Sequence, residues 1–197
     1  MNEKLTNLEA YFRKEVGNNL RVNEEQRVLD SWLQTEYGGI RMLVHAIDDT
    51  YTHLVFSARS LLSVPATHRE EFTKLLNMIN WKLIFGNFEM DPDDGELTFR
   101  TTYCLCDANM SSEQFSHGFN NCMLTALHNY PLFQKVIWNN ATADEIFEEN
   151  LSDESGDQYV SEVNPEENPI PENYSEEVIQ DLTESLKEEL RNSESES

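Results

Sequence analysis

The sequence predicts an α+β domain, an antiparallel sheet with helices packed on it in the order α-β-β-β-α-β-β-α, plus a disordered acidic C-terminal tail. Three observations lead there. From Asn80 to Arg100 an apolar, aromatic run enters an acidic Pro/Gly turn and emerges as a clean alternation. Leu97, Phe99, Thr101, Tyr103 and Leu105 fall on one face and Thr98, Arg100 and Thr102 on the other, the period-two pattern of a half-buried strand. Three stretches carry apolar residues at helical spacing, one at the start, one before that hairpin and one after it. Charge is unevenly divided as well: residues 140–197 hold 19 Asp/Glu against 2 Lys/Arg, so most of the net charge of −23 lies there.

The elements follow in chain order. Leu5, Leu8, Phe12 and Val16 make an amphipathic first helix closed by Gly17 and Asn18. A first strand is expected near Ser31–Tyr37, and Gly38-Gly39 separates it from a second, Ile40–Asp48. Both faces of that second strand are largely apolar, so it is expected to be central and covered on both sides. Asp48-Asp49-Thr50 turns the chain into a third strand, Thr52–Arg59. The second helix has Pro65 in its first turn, a Thr67-x-x-Glu70 capping box and the stripe Phe72, Leu75, Leu76, Ile79. After the hairpin, a third helix starts at Ser111 or Ser112 with Gln114 in box position. It buries Phe115, Phe119, Cys122, Met123, Ala126 and Tyr130, and Pro131 is expected to kink or end it.

Beyond Asn139 the residues cannot bury enough apolar surface to offset the entropy of ordering. The reading is a domain over 1–139, an acidic linker over 140–173, an amphipathic helix over 174–192 and a disordered end over 193–197. A cut after Asn139 is expected to leave the domain folded. In the helix, Val178, Ile179, Leu182, Leu186 and Leu190 recur at three- and four-residue spacing after Ser175. That stripe suits a partner's groove, docking on the chain's own domain, or a solvated helix with no partner.

Several function classes are disfavoured. A strongly acidic chain with no basic patch repels phosphate backbones and anionic membranes, so neither nucleic acid nor membrane is an expected partner. The charged start lacks an apolar leader, no apolar run is long enough to span a bilayer, and three cysteines make no disulfide framework. The expected location is therefore cytoplasmic. No phosphate-cradling loop, dinucleotide fingerprint or nucleophile elbow is present, so no catalytic residue and no cofactor are assigned.

Each candidate site has a plainer reading. Counted from Asp91, the acidic turn puts Gly95 at position 5 and Thr102 at position 12, which fails the calcium-loop pattern and leaves a hairpin turn. Cys104 and Cys106, with Cys122 and His117 or His128, would make a zinc site only if the fold assembled them. Cys122 itself reads as core, and no cation near Cys104 and Cys106 is visible to favour redox chemistry. His45 and His53 lie on neighbouring strands, where rim histidines are the simpler account.

The order of features also carries a resemblance. Val64-Pro65 opens a helix that ends near Asn80; Gly86-x-Phe88, the acidic turn and a strand reaching Arg100 follow; and Tyr130-Pro131 interrupts the last helix. Over residues 1–139 this pattern resembles the YbjN family, a group of type III secretion chaperone-like domains. The resemblance implies a non-enzymatic protein-binding module, chaperone-like or a regulatory adaptor, homodimeric and holding a protein partner along apolar surface. Phe85, Phe88, Phe99 and Tyr103 are the folded-domain candidates for that surface, and the Val178–Leu190 stripe is the candidate in the tail. The rival class is a ligand- or metal-sensing regulator that uses the sheet face as a pocket.

Overall fold

The computed structural model describes residues 3–150 except Glu36 and Asp107. The expected helix at 174–192 lies outside the described residues. The chain runs through α1 (Glu3–Val16), β1 (Arg21–Asn23), β2 (Val28–Thr35), β3 (Gly38–Ala46), β4 (His53–Ser63), a 3-10 turn (Ala66–His68), α2 (Arg69–Lys82), β5 (Asn87–Met90), β6 (Glu96–Cys104), α3 (Ser112–Asn139) and α4 (Ala143–Asn150). The six strands form one antiparallel sheet in the order β1-β2-β3-β4-β6-β5. The expected α+β arrangement holds, with a short strand β1 and a short helix α4 added to it.

One face of the sheet is covered. Leu29, Met42, Val44, Leu54, Phe56, Leu97 and Phe99 are buried against helices, while Trp32, His45, Thr102 and Cys104 stand exposed on the other face. This corrects the expectation for β3, which is interior in the sheet order yet covered on a single side. The core is built around phenylalanines. Phe115 of α3 meets Phe56 of β4 at 5.3 Å and Phe12 of α1 at 5.8 Å, and Phe133 further along α3 meets Phe72 of α2 at 5.2 Å and Phe88 of β5 at 5.1 Å.

Local chemistry sets most boundaries. Gly17 ends α1 at φ +65°, its N–H donating to the Arg13 carbonyl. The box at Ser111 forms as expected: the Gln114 N–H donates to Ser111 Oγ and the Ser111 N–H to Gln114 Oε1. The Thr67 box does not form, because the 3-10 turn displaces the start of α2 to Arg69 and the capping residue is His68.

Two further expectations are corrected. Pro131 does not end the third helix, which continues to Asn139. It has no N–H to donate to the Leu127 carbonyl, and burial of Leu132, Phe133 and Val136 just beyond it outweighs that loss. The boundary at 139 is also too early. Thr142 caps α4 through its own box with Glu145, Ala143 and Ile146 are buried, and Lys74 of α2 pairs with Asp144. The acidic residues of α4 that read as linker occupy its solvent side.

Candidate functional site

The corner between α2 and β5 is where buried scaffold gives way to exposed apolar side chains. α2 ends at Lys82, and Leu83 turns extended while its N–H still donates to the Ile79 and Asn80 carbonyls. Within the next residues the chain must reach the sheet edge. Gly86 makes that possible at φ +77°, where an added Cβ would lie 2.6 Å from both the Arg100 carbonyl oxygen and the Phe99 ring. Asn80 then ties strand to helix: its Nδ2 donates to the Phe88 carbonyl at 3.0 Å and its Oδ1 accepts from the Phe88 N–H at 2.8 Å. Those two bonds occupy the outer edge of β5 at Phe88, and the Arg100–Glu89 ion pair at 3.1 Å braces β5 to β6. At this corner Trp81, Ile84 and Phe85 are 88%, 63% and 62% exposed. Three large apolar side chains within five residues make a surface suited to apolar contact.

Among the sequence candidates for partner contact, Phe85 alone belongs to this corner. Phe88 and Phe99 are core residues, their rings tilted against each other with centroids 4.9 Å apart, because both lie on the helix-covered face. Tyr103 is half-buried, edge-on to Phe56 at 5.4 Å. Val178, Ile179, Leu182, Leu186 and Leu190 lie outside the described residues. Trp81 and Ile84 went unrecognised because the same apolar run serves equally well as core.

The histidines and cysteines separate into two sets. His45 is exposed on the open face of β3, opposite Val55, and does not meet the other sequence candidates. His53 opens β4 directly opposite Cys104, the last residue of β6, with its Nε2 3.4 Å from the Cys104 sulfur. Cys106 lies just beyond, its sulfur 3.9 Å from that of Cys104. Asp48, in the β3–β4 turn, accepts from the His53 N–H at 2.9 Å and contacts His53 Nδ1 at 3.0 Å. The zinc grouping is not assembled. Cys122 is buried beneath the helix-covered face, its thiol pushed up by burial, while Cys104 and Cys106 are exposed and His117 and His128 lie on α3. Among the described residues no group of three or more His, Cys, Asp or Glu is arranged to hold a metal.

The acidic turn is a hairpin, as expected. Asp91 and Glu96 pair across it, and Asp91 Oδ1 and Asp94 Oδ1 accept from the Asp93 and Glu96 N–H groups. The open sheet face also gathers Arg41, Arg59 and Arg100, but each is paired, with Asp30, Glu96 and Glu89. The two best-formed cavities, one beside Leu8, Tyr11 and Leu54 and the other between Ile40, Phe88 and Phe133, each hold room for about one water molecule. No described helix is long and apolar enough to cross a membrane.

A one-sided antiparallel sheet under helices, with an exposed apolar corner, makes this an α+β domain. Residues 17–135 match the family model of YbjN, described as "Putative bacterial sensory transduction regulator", and the chain belongs to this family. Two solved structures resemble it. The crystal structure of YbjN from E. coli shares 17% identity at a TM-score of 0.43, over 63% of this chain and 91% of that one. The Yersinia pestis type III secretion chaperone SycH, solved with a stable fragment of YscM2, shares 14% at 0.42, over 64% and 98%. No curated protein matches the chain. The residues that carry the family pattern do structural work here: Val64 donates to the Gly95 carbonyl, Asn80 ties down β5, and Tyr130 stacks on Tyr37 at 5.4 Å.

Proposed function

We propose that this chain is a non-enzymatic protein-binding regulator that holds an apolar segment of a partner protein on the α2–β5 corner. The observation that carries this reading is the exposure of Trp81, 88%, beside Ile84 and Phe85 on a corner clamped by Asn80. Tryptophan so exposed adds little to the stability of a monomer, and on a rigid element it is a strong contact residue at low entropic cost. Because Asn80 already engages Phe88, the partner is held by side-chain contact and not by adding a strand. The family's description as a sensory transduction regulator supports a regulatory role. The rival reading, a ligand-sensing pocket on the sheet, finds no cavity of useful size among the best-formed ones.

Photo-cross-linking tests the proposal. Benzoylphenylalanine is placed at position 81 or 85, and at exposed position 45 as a control, in the full chain inside its host cell. Positions 81 and 85 are expected to yield a discrete protein adduct that position 45 does not. An adduct with a second copy would identify the homodimer, and an intrachain link to residues 178–190 would assign the corner to the chain's own tail. If 81 and 85 give only what 45 gives, the corner is not a binding surface. Trp81→Ser should abolish the adduct at position 85 while changing stability by no more than about 0.5 kcal/mol.

A further inference from the structure

We propose that Cys104 and Cys106 form a reversible dithiol–disulfide site, oxidised by small-molecule disulfides, with His53 as the base that takes the Cys104 thiol proton. The site stands apart from the α2–β5 corner, on the open face of the sheet, and does not depend on what binds there.

Strand register creates the arrangement. His53 and Cys104 are direct partners across β4 and β6, which brings Nε2 within 3.4 Å of the thiol sulfur. β6 stops at Cys104, the Leu105 N–H donates to the Thr52 carbonyl, and Cys106 takes φ +50°, leaving its sulfur 3.9 Å from that of Cys104. Both residues are exposed, and forming the bond requires the two sulfurs to close from 3.9 Å to roughly 2.05 Å. Asp48 sets the tautomer. Its Oδ2 accepts a hydrogen bond from His53 Nδ1–H, so the Nε2 lone pair faces Cys104. A hydrogen bond from the Thr50 hydroxyl, with others from Thr52 and His53, holds the Asp48 carboxyl far below the usual carboxylate range, so it remains an anion behind the imidazole. The His53 ring nitrogen lies against Cys104, which makes Cys104 the attacking thiol and Cys106 the resolving one, and the hydrogen bond to Cys104 and that sulfur's charge push the Cys106 thiol up. Cys122 takes no part, being buried with its thiol pushed up by desolvation.

The chemistry balances with a disulfide R–S–S–R as oxidant. Cys104 gives its proton to His53 Nε2, and its thiolate attacks one sulfur of R–S–S–R. That S–S bond breaks, and the departing thiolate leaves as R–SH with the proton from His53. Cys106 then loses its proton to water, and its thiolate attacks the Cys104 sulfur. The mixed disulfide breaks, and the second R–S⁻ takes up a proton from water. The protein gains one disulfide and loses two hydrogens, and R–S–S–R becomes two R–SH.

The test uses the full chain in graded mixtures of reduced and oxidised glutathione, quenched with acid, alkylated and read by peptide mass. The expected product is a Cys104–Cys106 disulfide, with Cys122 alkylated only after unfolding. Cys106→Ser should stop at a glutathione adduct on Cys104. His53→Gln should slow reaction of Cys104 with an aromatic disulfide reagent at neutral pH by about tenfold or more, the loss of a positioned base. Glutathione on both cysteines with no internal bond would overturn the proposal, and so would a folded His53→Gln variant reacting at the wild-type rate. The wild-type and Cys106→Ser arms leave His53 untouched, so they decide the matter even if that variant fails to fold.

Discussion

Single residues set the local conformation at both features. Asp48 organises the β3–β4 turn, accepting from the Thr50, Thr52 and His53 N–H groups. With its carboxyl held below the usual range, chiefly by the Thr50 hydroxyl, the folded state favours the ionised form. Its stabilising contribution is therefore complete above the ordinary carboxyl pKa, near 4, and is lost as the pH falls from there toward the depressed folded value. Melting temperature followed into acid should decline less steeply below about pH 4 for Asp48→Asn than for wild type. Parallel curves would mean that the turn's bonds to Asp48 do not stabilise the fold. At the other feature, Gly86→Ala places a methyl against the Phe99 ring and the Arg100 carbonyl at a φ that disfavours any side chain. A loss of more than about 1 kcal/mol is expected from the urea midpoint.

At the level of elements, α3 shows burial overriding propensity. It spans 28 residues through Pro131, and its later half is anchored by Phe133, which bridges Phe72 of α2 and Phe88 of β5. Phe133→Ala should cost about 3–5 kcal/mol in equilibrium unfolding. Trp138→Ala, on an exposed position of the same helix, should stay within about 0.5 kcal/mol. Equal effects would show that the later half of the helix is not held by its buried face. The expectation of a break at Pro131 weighed one missing donor and had no access to the aromatic cluster beyond it. α4 was legible in part: Thr142-x-x-Glu145 followed by Ile146 and Phe147 is a helix start signal. It went unread because the surrounding composition is acidic, and a composition average hides two buried residues in an eight-residue helix.

For the whole molecule, the stable unit extends past the point where the charge changes character. Cutting after Asn139 removes Ala143 and Ile146 from the core, together with the Lys74–Asp144 and Lys135–Glu149 pairs. The expected loss is about 2–4 kcal/mol, nearly all of it from apolar burial because the pairs are exposed. Cutting after Asn150 leaves every described core contact in place, and its melting temperature should match that of the full chain. If the cut at 139 were as stable as the cut at 150, α4 would be a passenger on the domain.

The sequence by itself determined the α+β class, the hairpin around the acidic turn, the buried stripes of three helices and the family, because hydrophobic period, turn chemistry and caps are local properties. Tertiary structure alone decided which apolar residues stay outside. Phe85 and Phe88 stand three apart in one run, and only the Gly86 bend and the Asn80 clamp send one to solvent and the other to the core. It also decided the meeting of His53 with Cys104. Strand register brings together residues 51 positions apart in the chain, and no local spacing encodes that distance.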